Sequence, residues 1–378
     1  MTTSLLVDLL QQPKRIMTLS TQEWSLLLGQ LRTSQLTLYF YAAMEKNALT
    51  EHIPNKIYRY INAEQRKVAF QRRQVNYELE KINNALQQVD IKATYLKGAA
   101  YLIANLAIAN CRIFSDIDIL VDQTSIDKAE RALKLIGFAS QKTDDYDQQY
   151  YRQYMHEIPP MQHVTRGTVV DVHHNILPVC TYKPIDISLF STKKVAFKKA
   201  NKQEQTLAVF SSSAMYLHCA IHLFHEGDFD KGLRDLADLA IMFTEFSNSS
   251  DDFGPQLISL AQQSNQQKSL FFALRYINKV FSTPLNDDCQ QFVDEFAADY
   301  RYSRLSDFIF LNILSPYHPS CESSKVKFAR LLAYIRGHLL RMPLRLLLPH
   351  LIRKFFVQLT ASNDNSTTNN QNKVRPDI

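Results

Sequence analysis

Residues 91–121 read IKATYLKGAAYLIANLAIANCRIFSDIDILV. A short apolar segment runs into Lys97-Gly98, a helix rich in small residues follows, and a second apolar segment opens with Asp116-Ile117-Asp118. Side chains alternate faces along a strand, so Asp116 and Asp118 share one face while Ile117 and Ile119 take the other. Adjacent carboxylates repel each other, and a divalent cation that takes oxygen ligands is the commonest reason to hold them together.

Upstream, residues 1–90 read as a helical region. Leu5, Leu6, Leu9 and Leu10 give one apolar stripe and Trp24, Leu27, Leu28 and Leu31 a second. From Ile57 to Val89 no Gly or Pro interrupts the chain, and Val68, Val75, Leu79, Ile82 and Leu86 recur at helical steps. One long amphipathic helix is expected there, leading into a strand over Ile91–Leu96. Downstream, Thr124 is a candidate helix cap, Ile126, Ala129, Leu133 and Ile136 form a buried stripe, and Gly137 suits a left-handed stop. Residues 149–176 read as β-rich and antiparallel, with Thr165-Arg166-Gly167-Thr168 as the turn. In the following TVVDVHH, Val169, Asp171 and His173 share a face, so a third carboxylate emerges from a strand.

The expected organisation is α+β. A helical region (1–90) precedes a small mixed-sheet core (91–205), followed by a helical domain (206–324), basic amphipathic helices (325–360) and a polar, disordered tail (361–378).

The 378 residues, 46% hydrophobic and 21% charged, have the composition of a soluble globular protein of two or three packed units. Eight glycines supply neither GxGxxG nor GxxxxGK[ST], which disfavours a dinucleotide fold and a P-loop. Five scattered cysteines without CxxC spacing read as reduced thiols. Neither a secretory leader nor a stretch of about 20 apolar residues is visible, so a cytoplasmic protein is expected.

Aspartates on one face of neighbouring strands can hold one or two Mg²⁺ ions for phosphoryl or nucleotidyl transfer. Lys97 and the Gly98 backbone, at the start of a helix, suit phosphate, as do Arg112 and Ser115 just before the acidic strand. Structural readings stand beside these. Asp116 can serve an Asx turn, Asp171 can face solvent, Lys97 can be a solvated lysine, and Gly98 can serve only the turn.

LKGAA with CRIFSDIDILV, then a helix and VVDVHH, resembles the polymerase beta nucleotidyltransferase superfamily. More narrowly it is similar to the bacterial uncharacterised nucleotidyltransferase family, whose helical block LHCAIHLFHEGDFDKGLRDLADLAIM resembles. The resemblance covers roughly residues 20–290. It implies a small mixed sheet with helices, Asp116 and Asp118 as ligands of two Mg²⁺ ions, and Asp171 as the third carboxylate. An NTP would be the donor, and the acceptor a sugar, protein or small molecule. Ala99 stands where the superfamily has the serine of its phosphate turn, and His174 where the narrower family has Trp.

His218, His222 and His225 fall on one helical face and can bind zinc or simply pack, with polar contacts to Asp238 or Arg234. Arg234 and Asp238 can pair at i,i+4 or line the nucleotide cleft together with His222. His173 shares the face of Asp171 and is a further cleft candidate. Between Lys325 and Leu359 lie eight basic residues and no acid. Residues 325–357 thus suit peripheral contact with an anionic membrane, a terminal helical layer with snorkelling arginines or, with few aromatics for stacking, an RNA surface. A catalytically inactive, membrane-associated accessory protein on the same fold is the alternative to an enzyme.

Overall fold

The computed structural model describes residues 4–343 and 345, apart from 142–144, 182–183, 199–203, 226 and 302. The expected tail at 361–378, and most of the basic segment beyond Pro343, lie outside the described residues.

Helices α1 (Leu5–Gln11), α2 (Thr21–Ser34) and α3 (Thr37–Lys46) precede the long α4 (Asn55–Gln87). A reciprocal cap starts α2: the Glu23 amide donates to Ser20 Oγ, and the Ser20 amide donates to Glu23 Oε2. Along α4 the buried residues Ile57, Ile61, Val68, Val75, Leu79, Ile82 and Leu86 form the stripe that packs on the sheet core.

The middle of the chain alternates β1 (Thr94–Tyr95), α5 (Lys97–Ile103), β2 (Asp116–Leu120), α6 (Ile126–Leu135), β3 (Phe138–Ser140), α7 (Asp145–Tyr154), β4 (Met161–His163), β5 (Val169–His173), β6 (Thr192–Lys198) and β7 (Glu204–Phe210). Among the described residues the strands form one seven-stranded mixed sheet in the order β3-β4-β5-β2-β1-β7-β6. β2 is parallel to β5 and antiparallel to β1, and β1 is parallel to β7. This is the α+β architecture with a mixed sheet flanked by helices that the sequence pattern leads one to expect.

The remainder is helical: α8 (Ser212–His225), α9 (Gly232–Ser249), α10 (Phe253–Gln263), α11 (Gln267–Phe281), α12 (Asp287–Asp299), α13 (Ser303–Ile313) and α14 (Ser324–Arg341). α8 is apolar nearly all round, as a helix enclosed by others must be, and its residues from Ser213 to Ile221 are all buried. No helix among the described residues is long and apolar enough to cross a membrane.

Three local expectations are corrected. Residues 145–154 form α7 rather than a strand: Gln148 and Arg152 bond at i,i+4, and Arg152 reaches Glu130 on α6 at 2.8 Å, so tertiary contacts override the β preference of the tyrosines. Within residues 149–176 the antiparallel hairpin is the short pair β4 with β5, closed by a turn in which Gly167 takes a φ of 75°. Thr124 does not cap α6, because a 3₁₀ turn over Gln123–Ser125 precedes the helix. The expected strand over 91–96 is reduced to the two residues of β1.

Candidate active site

Parallel pairing of β2 with β5 sets Asp118 directly opposite Asp171, with Asp116 opposite Val169. The even spacing therefore brings all three aspartates to one face of the sheet. Asp118 is only 1% exposed. Lys97 Nζ donates to its Oδ1 at 2.8 Å, and His173 Nε2 lies 2.9 Å from the same oxygen. Burial alone would raise the Asp118 carboxyl, but the Lys97 ammonium and the His173 bond outweigh it and hold the group well below the usual carboxylate range. Burial would likewise lower Lys97, and Asp118 reverses that, so the lysine stays charged.

Asp171 shows the opposite balance. Burial, then the charges of Asp118 and Glu157, push its carboxyl up to about 7. Its Oδ1 is buried and has no hydrogen-bond partner among the described residues. Three carboxylates, one with an unpaired buried oxygen, form a donor set that fits a hard divalent cation such as Mg²⁺.

Lys97, the first residue of α5, lies in the left-handed region at φ 45°. A non-glycine residue held there carries strain, which here aims the lysine at Asp118. Gly98 is buried beside it, and a Cβ at that position would come within 2.6 Å of Phe114 Cδ1. Space is thus what the position demands. Ser115 Oγ donates to Asp116 Oδ1 at 2.8 Å, and both residues line a groove of about 160 Å³ shared with Glu78 and Arg166. A second cavity, of about 200 Å³, is lined by Lys97, Asp171, His173, His222 and His225 among others.

The family model for uncharacterised nucleotidyltransferases matches residues 20–282, more than half of the chain. The chain belongs to the uncharacterised nucleotidyltransferase family. A solved nucleotidyltransferase-like antigenic protein from Paracoccidioides brasiliensis aligns at 14% identity over 57% of this chain and 93% of its own, with a TM-score of 0.30. No curated protein matches the chain.

In this member of the uncharacterised nucleotidyltransferase family, the remaining sequence candidates fall into two groups. His173 and His222 line the cavity beside Asp171. Arg112, Arg234 and Asp238 belong to a separate buried network. Arg112 pairs with Asp238 and lies 3.6 Å from Asp235, and Tyr39 donates to Asp238. Arg234 bonds Asp235 and Gln35. The i,i+4 pair considered for Arg234 and Asp238 is not formed: Arg234 bonds its neighbour Asp235 and Gln35, while Asp238 is taken by Arg112 and Tyr39. Lys97, rather than Arg112, is the cation on Asp118.

Two of the helical histidines have partners other than Arg234 and Asp238. His218 packs edge-on against Phe210, and His225 Nδ1 lies 3.1 Å from the Ile221 carbonyl oxygen.

Sequence reasoning missed the support that α4 gives the acidic strand. Gln71 receives the Phe114 amide at 2.8 Å and donates its own amide to the Phe114 carbonyl, clamping the residue two places before Asp116. Glu78 holds Arg166 and Thr168 at the β4–β5 turn. His156 and Glu157 were also missed. They sit beside His173 because Glu157 forms an isolated antiparallel bridge with it. The adjacent His-Glu dipeptide was the available signal, but the contact depends on a fold partner sixteen residues away.

Proposed function

We infer that the protein is a Mg²⁺-dependent nucleotidyltransferase of the polymerase beta type, moving a nucleoside monophosphate from an NTP to a hydroxyl of a sugar, protein or small molecule. The observation that carries this reading is the in-register pairing of Asp118 with Asp171, with Asp116 on the same face. Asp116 and Asp118 would hold both ions, and Asp171 would hold one of them. When bound, the ions would activate the attacking oxygen and stabilise the leaving one.

The chain's own residues divide the remaining work. The acceptor oxygen bonds to the α-phosphorus, the bond from that phosphorus to the bridging oxygen breaks, and pyrophosphate leaves. Asp171, next to Asp118, receives the acceptor proton. Lys97 steadies Asp118 in the empty site and transfers its charge to the triphosphate when nucleotide enters. Ser115, whose hydroxyl donates to Asp116, would turn to the phosphates, and the Gly98 backbone at the start of α5 would approach them. Arg112, paired with Asp238 in this structure, would have to leave that partner to reach phosphate.

The test is Mg²⁺-dependent NTP binding and pyrophosphate release by the purified protein. Asp118→Ala is expected to lower turnover by at least about 100-fold. Unchanged binding and turnover in that variant would sink the reading and leave the inactive accessory role.

A second property, compatible with the first, is peripheral contact with an anionic membrane through residues 325–357. Phe328, Leu331, Tyr334, Ile335 and Leu339 on α14 are 40–54% exposed. They recur at helical spacing beside Lys325, Lys327 and Arg330. Phe328→Glu with Ile335→Glu should abolish co-sedimentation with phosphatidylserine vesicles. Equal pelleting of the variant would remove α14 from the membrane reading.

A further inference from the structure

Three donors converge beside the aspartates without including any of them. His156, Glu157 and His173 each bring one ligand-capable atom to within 4.8 Å of the others. Backbone pairing holds them there: Glu157 bridges His173, the Ile158 amide donates to the Val172 carbonyl, and the His174 amide donates to the His156 carbonyl. The His156 and His173 rings lie 5.3 Å apart, tilted by 31°.

The His173 ring is oriented from both sides. Its Nε2 faces Asp118 Oδ1 at 2.9 Å, and its Nδ1 faces Glu157 Oε2 at 3.3 Å. With Nε2 donating to Asp118, Nδ1 is the nitrogen turned towards Glu157. A carboxylate behind an imidazole is the usual way to fix a metal-binding histidine. Independently, Nδ1 of His156 is buried with no hydrogen-bond partner among the described residues. A buried polar atom of that kind calls for an explanation, and a bound ion is one.

We propose that His156, Glu157 and His173 form a binding site for a divalent transition metal of the zinc type, separate from the three aspartates. Two imidazoles and one carboxylate are a ligand set of zinc centres that keep one position open. Two nitrogen donors also favour such an ion over Mg²⁺. Ligands about 2.0–2.2 Å from one tetrahedral ion lie roughly 3.5 Å apart, so the donors need to close by about an ångström. The cavity of about 200 Å³ beside them has room for a fourth ligand. Lys97 and Arg341 also line it, but Lys97 is paired with Asp118, and the Asp171 carboxylate offsets positive charge. A metal would take the Nδ1 lone pair of the neutral His173 ring, whose one proton stays on Nε2 against Asp118.

The site needs no nucleotide, so its occupancy can be read separately from the transfer reaction. The full chain, stripped with a chelator, is titrated with Co²⁺ and followed by visible absorption, then competed with Zn²⁺. One Co²⁺ per chain is expected, with bands that Zn²⁺ removes. His156→Ala, the milder His156→Gln, and Glu157→Gln should each weaken binding at least about tenfold while keeping the native near-ultraviolet circular dichroism. Asp116→Asn should leave Co²⁺ affinity within about twofold. The proposal is overturned by absence of a Co²⁺ signal or by unchanged affinity in the folded His156 and Glu157 variants. Loss of binding in Asp116→Asn also overturns it, since that assigns the ion to the aspartates. Mg²⁺–ATP binding in the same samples reads the nucleotidyltransferase function separately.

Discussion

Gly98 is a residue whose role changes once its neighbours are known. In the sequence it belongs to a turn suited to phosphate; in the fold its missing side chain leaves room for the ring of Phe114, which is 4% exposed. Gly98→Ala would put a Cβ 2.6 Å from that ring, and a buried aromatic can yield only by displacing its own neighbours. A loss of about 1–3 kcal/mol in unfolding free energy is expected without nucleotide, measured by urea denaturation. A loss of nucleotide affinity at unchanged stability would instead assign the glycine to phosphate approach. The aspartates were legible because strand periodicity fixes the relative faces of positions 116 and 118, and of 171 and 173, from local sequence alone. Arg112 was not, since its partner Asp238 arrives from α9 more than 120 residues later, and no spacing rule links them.

At the scale of elements, α4 decides where the acidic strand begins. Its length and buried stripe were readable from an uninterrupted helical pattern, because apolar residues at steps of three, four and seven stay on the face that meets the core. Its polar contribution was not readable. Gln71 looks like an ordinary solvated residue until Phe114 is brought beside it, where the side-chain carbonyl accepts from the Phe114 N–H and the side-chain NH₂ donates to the Phe114 carbonyl. Gln71→Leu keeps the size but leaves a partly buried N–H and C=O without those partners. The cost should be about 1–3 kcal/mol. Hydrogen exchange is expected to accelerate most at Phe114–Asp116, which global unfolding measurements would not localise. Uniform acceleration across the sheet would show that the clamp merely adds stability. The same limit on local reading explains α7, where Arg152 reaching Glu130 overrides a tyrosine-rich segment that suits a strand.

For the molecule as a whole, α8 joins the sheet to the helical half, and His218 sits where they meet. The ring is 3% exposed, packs against Phe210 of β7, and is pushed down to about 3 by burial and by the nearby Lys97 charge. An unfolded histidine titrates near 6.5, so the folded state binds the proton less readily than the unfolded state. Stability is then fully present above about pH 6.5 and is lost as pH falls towards the folded value, at about 1.4 kcal/mol per pH unit. Between pH 6.5 and 4.5 this single residue should cost about 2–3 kcal/mol. His218→Leu removes the titrating group while keeping an apolar filler against Phe210. Its unfolding free energy should therefore fall less steeply by that amount over the same range, whatever its absolute value at pH 7. Urea melts at half-unit pH steps in a chelating buffer isolate this from metal binding. Parallel acid limbs for the two proteins would show that His218 is protonated in the folded state and that the junction between sheet and helices tolerates the charge.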